Sequence, residues 1–376
     1  MKDNRRQFLK KSGVLAAASI SGLSSCSTNK PEKQEVSYIK DASWYAKLKQ
    51  EPYMKIAYQA SPEPTLEQIN FVQQMGIDHV VLWTGADKAS YEYYNSRREL
   101  YKEHGITVYG FGNTNVHNQD KITLGLPGRD EKIEEYLNHL RNLAKAGIPY
   151  TTYAHMGNGI WSGERELIRG GAIARGFDLA KAERGQWNGQ VFEMPLSHGR
   201  KYSEDELWDN YEYFIKKAAA AATELKIKVG IHPDDPPGVE LAGVPRCIFG
   251  NFDGYKRALE MANSPYVGIC LCVGCWLEGG DLMGKDVIET IKYFGAQKKI
   301  FKVHFRNVDG PMPHFRETFL DEGYADMYRI LKALKEVDFD GVMIIDHVPR
   351  MVYPNTGNAF LVGYMKALIE RVIMEG

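Results

Sequence analysis

Short runs rich in β-branched and aromatic residues alternate along most of this chain with longer segments whose apolar positions recur every three to four residues. Eight β-rich runs stand out: Met54 to Gln59, His79 to Trp83, Thr107 to Gly112, Pro149 to Met156, Lys228 to Pro233, Tyr266 to Cys272, Ile300 to Arg306 and Gly341 to His347. Between them lie helical patterns. From Asp130 to Ala146, Ile133, Tyr136, Leu137, Leu140, Leu143 and Ala144 fall on one face; Glu204 to Leu225 carries the small stretch Ala218 to Ala222, suited to close packing on a sheet. Eight strand–helix units predict an α/β fold, a (β/α)8 TIM barrel over 51–376. An open doubly wound sheet is the rival, disfavoured because no Gly-x-Gly-x-x-Gly turn follows the first strand. The segment from Gly157 to Tyr202 is too long for a simple connection and is expected to lie over the catalytic face after the fourth strand.

Composition narrows the function. Lys and Arg number 47 against 48 Asp and Glu, a net charge of −1, which gives no field to recruit nucleic acid. The N-terminus reads differently from the rest. Asn4-Arg5-Arg6-Gln7-Phe8-Leu9-Lys10 followed by the weakly apolar Gly13 to Leu23 has the form of a twin-arginine export signal, assigned to 1–30. Leu23-Ser24-Ser25-Cys26 then looks like a lipoprotein processing site with Cys26 as the lipidated residue, followed by a linker and N-terminal extension over 31–50. The expected location is exported and periplasmic: a lipoprotein of a Gram-negative bacterium, touching the membrane only through its anchor.

Three of the remaining cysteines, Cys270, Cys272 and Cys275, are too close together for a disulfide framework. A ligand role, deep burial, or a redox role for the Cys272–Cys275 pair are the readings. The redox role is disfavoured because such pairs sit at a helix N-terminus, whereas Cys272 is expected at a strand end. Ligand-type residues close each of the last four strands: His232, Cys272, His304 and Asp346. Two imidazoles, a thiolate and a carboxylate at one end of four consecutive strands predict a divalent metal site at the barrel's C-terminal mouth.

Several motifs share a pattern with one family. Ile231-His232-Pro233-Asp234-Asp235-Pro236-Pro237 with Val244-Pro245-Arg246, Leu124 to Asp130 with Arg141 to Gly147, Leu271-Cys272-Val273-Gly274, Val303-His304-Phe305-Arg306, Asp326-Met327-Tyr328 and Asp346-His347 resemble the mannonate dehydratases, from about Thr65 onward. The resemblance implies a xylose-isomerase-like TIM barrel that dehydrates D-mannonate to 2-keto-3-deoxy-gluconate. It places a divalent ion, manganese first with iron(II) or zinc as alternatives, on the same four residues. It also implies acid/base work for His347. The residues themselves add substrate contacts: Arg306 and Arg246 offer planar bidentate forks to a carboxylate or hydroxyl, Arg129 and His117 near the third-strand loop are expected to close the opposite wall, and Asp234 and Asp235 either bind sugar hydroxyls or form a rigid turn. His155 is a candidate replacement acid/base. The expected partners are a small sugar acid, the twin-arginine export machinery and a second copy of the chain.

The sequence departs from the family in its last loop, where a catalytic tyrosine is expected and Asn355 to Phe360 holds none. Asp346-His347-Val348-Pro349 and Phe315-Arg316-Glu317 also differ from the family's steps. An isomerase, epimerase or lyase acting on another aldonic or uronic acid is therefore the alternative, and a non-catalytic sugar-binding lipoprotein a second one.

Overall fold

A computed structural model describes residues 40–375. The export signal, Cys26 and the linker up to residue 39 lie outside the described residues, whose first element is the helix Ala42–Leu48. Eight parallel strands close into a barrel: β1 (Lys55–Ala60), β2 (His79–Thr84), β3 (Thr107–Asn113), β4 (Tyr150–Tyr153), β5 (Lys228–Ile231), β6 (Val267–Cys272), β7 (Ile300–His304) and β8 (Val342–Ile344). Each pairs with its sequence neighbours, and β1 closes on β8. All eight β-rich runs became barrel strands, and the chain has the (β/α)8 fold.

A helix follows every strand, and local chemistry fixes where most of them begin. Thr65, Ser203 and Asp286 each form a capping box with the residue three positions on (Gln68, Glu206 and Glu289), so that the free N–H groups of the first turn find acceptors. The helices Arg129–Lys145 and Glu204–Leu225 match the expected spans to within a residue. Their apolar stripes pack on the outer face of the barrel: Ile133, Tyr136, Leu140 and Leu143 from one, Phe214, Ala218 and Ala222 from the other. Strands β4, β5, β6 and β7 are covered by helices outside and by one another inside, which explains their near-continuous burial.

Inside the barrel, Ala57, Val81, Val342 and Ile344 form a small cluster of their own beside Tyr109. Tyr150 occupies the space above two glycines. A Cβ on Gly230 would come within 2.5 Å of its hydroxyl, and one on Gly110 within 2.6 Å of its ring.

The long segment after β4 is built, not irregular. Its strand Ile173–Asp178 pairs antiparallel with Arg165–Leu167 and with His314–Thr318 from the connection after β7, and His314–Thr318 pairs in turn with Asn307–Val308. A second small sheet joins Ile160–Trp161, Arg184–Trp187 and Gln190–Glu193. The loop after β8 is tied to the first sheet by reciprocal hydrogen bonds between Ile173 and Arg350. Side chains from this sheet are thereby delivered to the end of the barrel where the predicted ligands lie.

The Gly230–Tyr150 contact sets a test of the barrel interior. Gly230→Ala is expected to lower stability by about 1–3 kcal/mol, because the ring has no free space to enter. A urea midpoint equal to that of the unaltered protein would show the interior to be looser than described.

Candidate metal centre

Parallel pairing brings the four predicted ligands together. Cys272 and His304 are register partners at the ends of β6 and β7, and Ile231 and Ile344 end the two flanking strands just before His232 and Asp346. One donor atom from each of His232, Cys272, His304 and Asp346 lies within 4.8 Å of all the others. His232 Nε2 is 3.2 Å from His304 Nδ1, which is 3.3 Å from an Asp346 carboxylate oxygen.

The surroundings suit a cation. His232 Nδ1 lies 2.7 Å from the Pro233 carbonyl, which can only accept, so this nitrogen carries the proton and Nε2 presents a lone pair to the cluster. His304 uses its other nitrogen, Nε2, on the Cys270 sulfur at 3.5 Å, leaving Nδ1 facing the other donors. Burial opposes ionisation of Cys272, yet the hydrogen bond from Cys275 and the Arg306 charge hold its thiol well below the usual range. Burial likewise opposes the Asp346 carboxylate, and His304 and His347 outweigh it. Thiolate and carboxylate are the forms in which these groups bind metals. The set of two nitrogens, a sulfur and an oxygen fits a divalent transition ion.

A buried ionic network braces this cluster. Arg306 donates to Glu278 at 2.6 Å and to the Cys275 sulfur at 3.3 Å, and its Nε lies 3.3 Å from Asp346. Arg175 pairs with Asp235 and reaches Glu278 at 3.3 Å and Glu317 at 3.1 Å. Glu317 receives His347 Nδ1 at 2.6 Å. His347 stands at the mouth with its side chain 39% exposed; burial lowers its proton affinity, but Asp346 and Glu317 raise it to about 9.

A model of the D-mannonate dehydratase (UxuA) family matches residues 65–372. The chain belongs to this family. Mannonate dehydratase 2 of Halalkalibacterium halodurans is 33% identical over 286 residues, covering 71% of this chain and 81% of the relative. A crystal structure of the mannonate dehydratase from Streptococcus suis serotype 2 superposes with a TM-score of 0.74 at 25% identity, over 86% of this chain and 94% of the other. A xylose isomerase domain protein from Planctomyces limnophilus shares the fold alone, with a TM-score of 0.56 at 12% identity over 86% and 99% of the two chains.

The remaining predicted residues of this mannonate dehydratase family member divide. His117 lies between the rings of Trp83 and Trp187, at 4.7 and 5.0 Å, and its Nδ1 donates to the Thr152 carbonyl at 2.9 Å. Burial foremost, opposed by that hydrogen bond and aided by His232, Lys302 and His304, pushes its ring to about 3, so it is neutral. Asp235 and Arg306 border the ligands but are held by ion pairs within the protein. Arg246 is buried and spends its terminal nitrogens on Pro236 and Gly159 carbonyls and on Asn158, so it ties loops together. Arg129 stacks on Tyr213 at 3.7 Å and donates to Asn210, both on the outer helix Glu204–Leu225. His155 is also placed away from the ligands. It turns outward among Tyr153, Tyr211, Phe214 and Phe249, bonded to the Tyr153 hydroxyl, and burial pushes it to about 3.

Cys272 does not sit at a strand end alone, as the sequence led one to expect. Cys272 ends β6 but also caps the seven-residue helix Val273–Gly279, so a helix N-terminus is present after all. The four described cysteines are nevertheless free, and Cys272 and Cys275 meet through a backbone N–H rather than a disulfide. Arg175 and Glu278 had no signal in the sequence: their importance arises from antiparallel pairing and a helix turn that only tertiary structure reveals.

Glu278 gives the network a pH signature. Burial, with the opposing charges of Arg306 and Arg175 only partly offsetting it, raises its carboxyl to about 7, and one of its oxygens has no partner. A carboxyl raised on folding contributes stability that is present below its unfolded pKa, near 4.5, and is lost as pH rises through about 7. Glu278→Gln should therefore gain stability relative to the unaltered protein between about pH 5 and pH 8. A stability difference that stays constant over this interval in urea titrations would contradict that state of Glu278.

Proposed function

We propose that this protein removes water from D-mannonate, giving a 2-keto-3-deoxy sugar acid, with a divalent ion held by His232, Cys272, His304 and Asp346. The convergence of these four donors at the barrel mouth of a D-mannonate dehydratase family member carries the reading. Manganese is the proposed ion. When bound it acts as a Lewis acid, lowering the cost of negative charge on substrate oxygens as the C2 proton leaves.

The protein's own groups supply the rest. Glu317 accepts the His347 Nδ1 proton, which fixes the ring and directs Nε2 toward the mouth, 3.9 Å from Asp346. At that atom His347 takes up or delivers the proton exchanged with substrate. Neutral His117, walled by two tryptophans, offers its free nitrogen to a substrate hydroxyl. Arg306 and Asp235 act as positioning residues that hold Asp346, Cys275 and Arg175 in place.

An isomerase or epimerase acting on another sugar acid is the second reading, favoured by the missing tyrosine between Asn355 and Phe360; Tyr353, in the preceding loop, is 72% exposed. The manganese-loaded protein is expected to convert D-mannonate, to lose activity on chelation and regain it with manganese. His347→Gln should reduce kcat by about 100-fold or more while metal content is unchanged. Turnover of a different sugar acid with none of D-mannonate would replace the first reading by the second.

The proposal extends to location. The paired arginines and Cys26 support export and lipid anchoring, and no described helix is long and apolar enough to cross a membrane. Cells expressing the full chain with a fatty-acid analogue should yield labelled protein, with the label lost in Cys26→Ala. Unlabelled protein would remove the anchor from the account.

A further inference from the structure

Gln59 is the one exposed residue of β1, although this strand is part of the barrel wall. Alternation along the strand fixes where it points. Ala57, two residues earlier, belongs to the interior cluster with Val81, Val342 and Ile344, whereas Ile56, Tyr58 and Ala60 pack against the outer core. Gln59 therefore shares the inner face with Ala57 and, near the C-terminal end of β1, stands in the mouth of the barrel.

Strand pairing fixes its height. Lys55 is opposite Val342 and Ile56 opposite Met343, and the same offset carried up the two strands sets Gln59 level with the ligand Asp346. On the other side of β1, Trp83 follows Val81 on the inner face of β2 and meets the ring of His117 at 4.7 Å. Gln59 thus occupies the stretch of wall between the metal cluster and the corner made by Trp83 and His117.

The polar groups around the cluster are engaged with one another, and Gln59 is not. Asp346 faces His304 and Arg306, while Arg306 and Arg175 are held by Asp235, Glu278 and Glu317. Among the described residues the Gln59 side-chain amide makes no hydrogen bond. An amide offers two N–H donors and a carbonyl acceptor, which suits a row of hydroxyls that each donate and accept. There is also room beside it. A cavity of about 950 Å³ is lined by Gln59, Ala60 and Ser61 at the end of β1, by the helix Leu66–Gln74 and by Asn355 in the loop after β8.

We propose that Gln59 is a substrate-binding residue that reads the polyhydroxyl tail of the sugar acid. With the carboxylate end of the acid at the metal cluster, the Gln59 amide takes a hydroxyl further along the chain, and the rest of the chain runs toward the cavity. The proposal rests on the sugar-acid reading above and narrows it to a substrate class: six-carbon aldonates, long enough to carry hydroxyls past the metal, rather than four-carbon ones.

Calorimetric titration of the manganese-loaded full-length protein with six-carbon D-gluconate and four-carbon D-erythronate tests this, alongside turnover of D-mannonate. The unaltered protein should bind D-gluconate more tightly than D-erythronate. Gln59→Met, which keeps the length of the side chain and removes its amide, should weaken D-gluconate binding and raise KM for D-mannonate by about 10-fold, with D-erythronate binding and metal content unchanged. Undiminished D-gluconate binding by Gln59→Met would overturn the proposal, as would failure of the unaltered protein to bind either acid. An equal loss for both acids, or a loss of bound manganese, would also overturn it, since Gln59 would then act by supporting Asp346. If D-gluconate binding depends on Gln59 but D-mannonate is not turned over, the dehydratase reading falls and the contact stands. Turnover of D-mannonate with an unchanged KM in Gln59→Met would do the reverse.

Discussion

The arrangement depends on one constraint: four polar donors from four neighbouring strands of a closed barrel are made to point at the same small volume. Barrel closure removes the freedom to separate them. Cys272 and His304 are locked opposite each other by the pairing of β6 and β7, and His232 and Asp346 follow at the ends of the flanking strands. Two imidazole nitrogens 3.2 Å apart beside a carboxylate and a thiolate are the donor types that a divalent cation takes up.

The excursions make that grouping durable. A sheet assembled from the segments after β4 and β7 carries Arg175 and Glu317 to the mouth, where two guanidiniums meet Asp235, Glu278 and Glu317 out of water. Burying such charges stabilises little by itself, and removing one partner is expensive, so the network acts mainly to fix positions. Through Arg306 it holds Asp346 and Cys275, and through Glu317 it orients His347. The four-donor cluster and His347 are thus set by separate parts of the fold that meet at one end of the barrel.

Legibility in the sequence tracks the range of the forces involved. Barrel strands and their helices were readable because apolar periodicity and capping residues act locally, as at Thr65, Ser203 and Asp286. The four donors were readable because a strand end is a local feature repeated four times. The pairing of Ile173–Asp178 with His314–Thr318 was not, since it joins distant segments with no distinctive turn between them. The surroundings of His155 were not legible for a related reason: it lies just past β4 at the same end, but its ring sits in the aromatic layer beneath the helix Glu204–Leu225. Arg306 and Arg246 matched a carboxylate chemically, yet the acids and carbonyls that occupy them come from elsewhere in the chain.

X-ray absorption at the manganese edge of the loaded protein tests the four-donor site most directly. The account predicts nitrogen and oxygen neighbours together with one sulfur neighbour in the first coordination shell, the sulfur disappearing in Cys272→Ser. A shell of nitrogen and oxygen alone in the unaltered protein, or a sulfur signal that survives in Cys272→Ser, would contradict it.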